Sequence, residues 1–122
     1  MIKFYGYKKC GTCRKAEKAL ENCLEKSGTK YAFIDITEAP PSASALNTMA
    51  SQAAIELKKM FNTSGVQYRE LNIKEKLPAM SDKEMLDLLA GNGRLIKRPI
   101  VTDGTKTTVG YKEEDFRKVW GR

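Results

Sequence analysis

Cys10 and Cys13 stand with two residues between them, where a short apolar segment, Ile2 to Tyr7, gives way to a long amphipathic stretch. That junction constrains the chain more than any other feature. A strand followed by a helix places Cys10 at a helix N-terminus and Cys13 about one turn further on, near enough for a disulfide. Unpaired N–H groups and the positive end of the helix dipole stabilise negative charge there. The thiolate is the reactive form of cysteine, and helix N-termini, nearby cations and the CxxC spacing all lower its pKa. Lys8, Lys9, Arg14 and Lys15 add positive charge around the pair. Cys10 is the expected nucleophile, and the deeper Cys13 is the natural thiol to resolve a mixed disulfide formed at Cys10.

Two blander readings compete. A single CxxC can be half of a zinc site, but zinc takes four Cys or His ligands, and this chain has three cysteines and no histidine. No metal is therefore expected. The other alternative is a pair of ordinary core cysteines. Cys23, on the apolar face of the same helix, reads as a core cysteine and not as a third redox thiol. With no histidine to serve as a base, thiol activation has to come from the helix end and from cations.

Taken in order, residues 2–6 read as a buried strand and about 11–26 as a helix with Ala16, Ala19, Leu20, Cys23 and Leu24 facing inward, ended by Ser27-Gly28. Tyr31 to Ile36 read as a second strand, giving a β-α-β unit with a parallel pair. Ala39-Pro40-Pro41-Ser42 opens a mostly helical stretch to about residue 92. Ala43, Leu46, Met49 and Ala50 mark one helix there, and Ile55, Leu57, Met60 and Phe61 another, with short turns around 68–71 and 73–77. Ser81-Asp82-Lys83-Glu84 is a capping-box signature opening a helix with Met85, Leu88 and Leu89 inward. The chain then returns to strands, Pro99 to Thr102 and Lys106 to Val109, joined at Asp103-Gly104 by what reads as a tight hairpin turn. A last helix, about 112–120, has acidic residues in its first turn and basic ones near its end, matching the helix dipole. This order gives an α/β fold, thioredoxin-like, with a mixed sheet of about four strands and a helical insertion after the second strand. Residues 1–122 are expected to form a single domain, with its core in 1–41 and 93–122 and a helical subdomain in 42–92.

The 122 residues suffice for a real core without disulfide staples, and 41% hydrophobic with 30% charged is ordinary for a globular chain. No apolar run approaches a membrane span, and the N-terminus reads as a strand and not as a signal peptide, so a cytoplasmic location and no membrane partner are expected. The net charge of +7 suits an anionic partner. The lysines are scattered and no nucleic-acid-binding motif is visible, so direct nucleic-acid binding is not expected.

The segments Lys9-Cys10-Gly11-Thr12-Cys13-Arg14-Lys15-Ala16 and Ile96-Lys97-Arg98-Pro99-Ile100 resemble those of the arsenate reductase (ArsC)-like and Spx-like proteins, with weaker matches at Phe61-Asn62-Thr63, Tyr68-Arg69-Glu70-Leu71 and Val109-Gly110-Tyr111. The resemblance spans essentially the whole chain. It implies a thioredoxin-like core in which Pro99 is cis and packs beside the reactive cysteine. Likeness to the glutaredoxin-dependent reductases would make Cys10 the nucleophile toward an oxyanion and Arg98 its positive partner, a role that suits the guanidinium fork. Two further arginines of those reductases fall at Asn62 and Tyr111, and a serine falls at Cys13. Likeness to the Spx branch would instead make Cys10–Cys13 a switch disulfide in a regulator that binds the α subunit of RNA polymerase. The expected activity is thiol–disulfide oxidoreduction, with Cys10, Cys13 and Arg98 as catalytic residues. Gly11, Thr12 and Arg14 would bind the anion, the first two through helix-terminal N–H groups, although a solvated surface charge describes Arg14 equally well. No bound cofactor is expected. The partners implied are a thiol reductant (glutathione with glutaredoxin, or thioredoxin) and a small oxyanion or disulfide substrate, acting on a monomer.

Overall fold

The computed structural model describes residues 2–121, so Met1 and Arg122, the two ends of the expected 1–122 unit, lie outside it. Strand β1 (Ile2–Gly6), helix α1 (Gly11–Leu24) and strand β2 (Tyr31–Asp35) form the first unit. β1 and β2 run parallel, with Ile2 opposite Tyr31 and Gly6 opposite Asp35. Strands β3 (Ile100–Thr102) and β4 (Thr107–Val109) complete a mixed sheet of order β2-β1-β3-β4, both joining antiparallel. Between them lie α2 (Ala43–Gln52), α3 (Val66–Glu70), α4 (Ile73–Lys76) and α5 (Asp82–Gly91), and α6 (Glu113–Trp120) closes the chain. This is the thioredoxin-like α/β arrangement with its helical insertion after the second strand.

The sheet separates two apolar layers because successive strand residues face opposite sides. Ile2, Phe4 and Val101 join α1 and α6 through Cys13, Ala16, Leu20, Leu24, Phe116 and Trp120. Ile100 faces the other way, into the layer built by the insertion, with Leu46, Met60, Phe61, Leu89 and Ile96 among its members. Cys23 is half-buried at the margin of the first layer, not within it.

The local signals explain most ends. α1 stops at Leu24, and Gly28, in the left-handed region at φ +68°, donates its N–H to the Leu24 carbonyl. Ser42 accepts from the Ala45 N–H, and both halves of the Ser81–Glu84 capping box are made. Three expectations need correction. Ile55, Leu57, Met60 and Phe61 do not form a helix. Only a single 3-10 turn spans Leu57–Met60, and Phe61 bridges antiparallel to Ile96. The reason is backbone pairing across the fold: Lys97 N–H donates to Met60 O at 2.6 Å and Asn62 N–H to Leu95 O at 2.7 Å. Residues 66–70 and 73–76, expected as turns, are the short helices α3 and α4. The hairpin turn is not a two-residue one. Thr102 pairs with Thr107, and Asp103 organises the four-residue loop between them by accepting from the Thr105 and Lys106 N–H groups, both at 2.8 Å. In α5, Leu89 is buried, and Met85 and Leu88, half-buried, pack against the same layer, all three facing inward as expected.

Candidate functional site

Gly6 ends β1 and the chain turns through Tyr7, Lys8 and Lys9 into α1. Cys10 is the N-cap residue, with extended backbone at φ −87° and ψ 120°, and its own N–H donates to the Tyr7 carbonyl at 3.0 Å. Gly6 is tight against this turn: a Cβ there would fall 2.6 Å from Phe4 Cε1 and 3.4 Å from Cys13 Sγ. Cys10 is half-buried, whereas Cys13 is 1% exposed and belongs to the α1–α6 layer. Both thiols are free.

The two sulfurs are held in opposite states. Burial pushes the Cys10 thiol up, but the backbone N–H of Cys13, its thiol, and the hydrogen bond and charge of Arg98 more than offset that, leaving Cys10 below the ordinary thiol value. For Cys13, burial dominates and the neighbouring Cys10 sulfur reinforces it. The Tyr7 backbone N–H and the Arg98 charge oppose both, and the thiol is still pushed up to about 12. Cys10 is therefore the more acidic of the two thiols, and Cys13 is held in its protonated form.

Arg98 comes from the other end of the chain, two residues before β3, and the Arg98–Pro99 peptide is cis. Its guanidinium lies over the Tyr7 ring, 5.3 Å from the centroid, and its Nε is buried without a hydrogen-bond partner. Tyr7 thus supports the site three times: its carbonyl takes the Cys10 N–H, its N–H reaches Cys13, and its ring carries Arg98.

Cys10, Thr12 and Arg98 open onto a cleft of about 1230 Å³ that runs between the sheet core and the insertion. Asn62 and Tyr111, the positions where the reductase resemblance places arginines, line the same cleft. Gly11 and Arg14 are exposed at the helix start and are not part of the lining. Sequence reasoning gave no role to Lys59, Lys97 and Lys112, which also line the cleft, or to Tyr7. No spacing signal could have found the three lysines, since only the fold brings them together. Among the described residues no three Cys, His, Asp or Glu side chains gather into a metal-binding cluster, and no helix is long and apolar enough to cross a membrane.

A CxxC pair at the first helix of a β-α-β unit, facing the residue before a cis proline that leads into the third strand, defines a thioredoxin-like thiol protein. The chain belongs to the ArsC family, which it matches over residues 5–119. It is 53% identical over 119 residues to the uncharacterized protein YusI of Bacillus subtilis, covering 98% of each chain. It is also similar, at 25% identity over 118 residues, to the Bacillus subtilis regulatory protein MgsR, covering 97% of this chain and 89% of that one. Among solved structures, SACOL0876 from Staphylococcus aureus superimposes with a TM-score of 0.83 at 43% identity and full coverage of both chains. The arsenate reductase from Vibrio cholerae gives 0.78 at 25% identity, over 97% of this chain and 96% of that one.

Proposed function

We propose that the protein is a thiol–disulfide oxidoreductase of the ArsC family in which Cys10 attacks, Cys13 resolves and Arg98 stabilises the attacking thiolate. The observation that carries this reading is the division of labour within the pair: an accessible, acidified sulfur at the cleft wall and a protonated, buried one a helical turn below it. Cys10 would form a mixed disulfide with its substrate, and Cys13 would lose its proton as it displaces that substrate from the Cys10 sulfur. The resulting Cys10–Cys13 disulfide returns to the dithiol at the expense of a thiol reductant, glutaredoxin with glutathione or thioredoxin. Asn62 and Tyr111 carry no charge where the reductases this chain resembles place arginines, so that three-arginine set is not reproduced around Arg98, and a disulfide is the preferred substrate.

The test is NADPH consumption by the reduced protein, coupled separately to glutathione/glutaredoxin and to thioredoxin, with a disulfide substrate or with arsenate. Cys10→Ser serves as the control. Disulfide-dependent turnover lost in that variant supports the proposal, and arsenate-dependent turnover would replace it with an arsenate reductase. Failure of every substrate, alongside a Cys10–Cys13 disulfide that forms reversibly and governs binding to the RNA polymerase α subunit, would replace it with a regulator.

A further inference from the structure

The cleft is far larger than a small oxyanion, and its charge is lopsided. Lys59, Lys97, Arg98 and Lys112 line it, and among the described residues none of the four makes an ion pair. Against them stand Glu56, which is paired with Lys58 at 3.2 Å, and Asp115. Unpaired cations along a concave wall focus a positive field and concentrate anionic ligands. One wall is also chemically suited to an extended chain. Thr107, Thr108 and Val109 of β4 line the cleft, and β4 is an edge strand whose outer backbone groups have no sheet partner. A strand edge that lacks a sheet partner is the ordinary platform for adding a peptide in extended form, and Thr108 and Val109 are the half-buried residues of this one.

From this juxtaposition of Cys10, four unpaired cations and a sheet edge, we infer that the substrate is a polypeptide disulfide whose cysteine is flanked by carboxylates. The inference rests on the oxidoreductase reading of Cys10 and Cys13 and names its substrate class. The carboxylates meet the lysines and Arg98, and the peptide backbone runs along β4. The Cys10 thiolate attacks one substrate sulfur, forming a Cys10–substrate disulfide and expelling the other substrate sulfur as a thiolate. Cys13 then releases its proton to solvent and attacks the Cys10 sulfur, expelling the second substrate thiolate. Two electrons pass from the dithiol to the substrate, and the pair ends as a disulfide.

Single-turnover rates with the pre-reduced protein test this directly. Two synthetic peptides each carry one cysteine as a mixed disulfide with β-mercaptoethanol, flanked by glutamates in one and glutamines in the other. Each rate is divided by that of the same peptide with free dithiothreitol, which cancels the intrinsic reactivity of the disulfide. The expected result is an advantage of about tenfold for the glutamate peptide at low ionic strength, falling below about threefold near 0.5 M salt. In Lys97→Gln/Lys112→Gln the ratio between the two peptides should fall toward one. Equal rates in the wild type, or a ratio unmoved by both salt and the double substitution, would overturn the inference. Dithiodipyridine, a small neutral disulfide, separates the two levels. If it oxidises the pair while both peptides react equally slowly, the substrate class is wrong and the oxidoreductase reading stands. If nothing oxidises the pair, both fall.

Discussion

Removing the Arg98 side chain is the sharpest perturbation of the site. In Arg98→Ala the Cys10 thiolate loses both a hydrogen bond and a neighbouring positive charge, whereas the contributions of Cys13 remain. A hydrogen bond to a charged group contributes about 1.5–3 kcal/mol. Cys10 is half-buried on an open cleft, so water screens part of that, and about 1.4 kcal/mol is the expected loss, or about one pKa unit. The direction is upward, because the group lost favours the charged form. At a pH below both midpoints the thiolate fraction should then fall about tenfold, and the rate of alkylation with it. The assay is the initial rate of iodoacetamide labelling at Cys10, followed by mass spectrometry of the Cys10 peptide across the pH range in a Cys23→Ser background. Arg98→Lys separates charge from fork geometry and should recover part of the shift. A labelling midpoint that stays within about 0.3 unit of wild type in Arg98→Ala would refute the electrostatic argument, since a change that small is about 0.4 kcal/mol.

Other consequences are open to measurement. Tyr7→Leu should raise the labelling midpoint of Cys10 in the same direction as Arg98→Ala but by less, because the guanidinium keeps its charge and loses only its platform; Tyr7→Phe, which preserves the ring, should leave it in place. Cys13 carries a raised pKa in the folded state, so its contribution to stability is complete below the unfolded thiol value and is lost as pH rises toward about 12. Urea midpoints of the reduced protein should therefore fall steadily above about pH 8.5, and a Cys13→Ser variant should show a flatter profile over the same range. Gly93 packs so closely on the segment after β2 that an added Cβ would collide with the Ile36 carbonyl oxygen and the Thr37 backbone. Gly93→Ala should thus cost about 2–4 kcal/mol in a denaturant titration, against less than about 1 kcal/mol for Gly91→Ala, where a Cβ meets nothing.

The sequence carried the β-α-β start and its thiols because every determinant there is local. Apolar alternation in β1, helical spacing in α1 and a glycine at position 28 each act within a few residues. Ser81 and Glu84 were equally legible, since a capping box is closed by its own four residues. The stretch from Ile55 to Phe61 was not. Its apolar spacing suits a helix, yet Met60, Phe61 and Asn62 satisfy their backbone groups with residues 95–97, partners that no local pattern announces. The hairpin failed in a smaller way: Asp103-Gly104 is a genuine turn signal, but the Asp103 carboxylate gathers two N–H groups further on and lengthens the loop. The candidate site shows the same division. Cys10 and Cys13 were legible by spacing and Arg98 by resemblance, while Tyr7 is recognised only through Arg98 stacked on its ring, and Lys59, Lys97 and Lys112 only through the cleft they share.

The insertion and the sheet core are fastened to each other at both walls of the cleft. Gln52 donates through Nε2 to the Gly104 carbonyl at 2.9 Å and receives the Thr107 hydroxyl at 2.6 Å, while the strand-like exchange between residues 60–62 and 95–97 ties the opposite side. Gln52, Asn62, Lys97 and Thr107 all line the cleft. Such cross-stitching favours a bracket over a jaw, a mouth whose width is set by the fold. The adapting must then be done by the guest. A cysteine on a pliant tail or a frayed loop can thread between the walls, while the same cysteine on a stiff, convex surface cannot reach the sulfur at all. Discrimination would fall on the suppleness of the chain around a disulfide as much as on its charge.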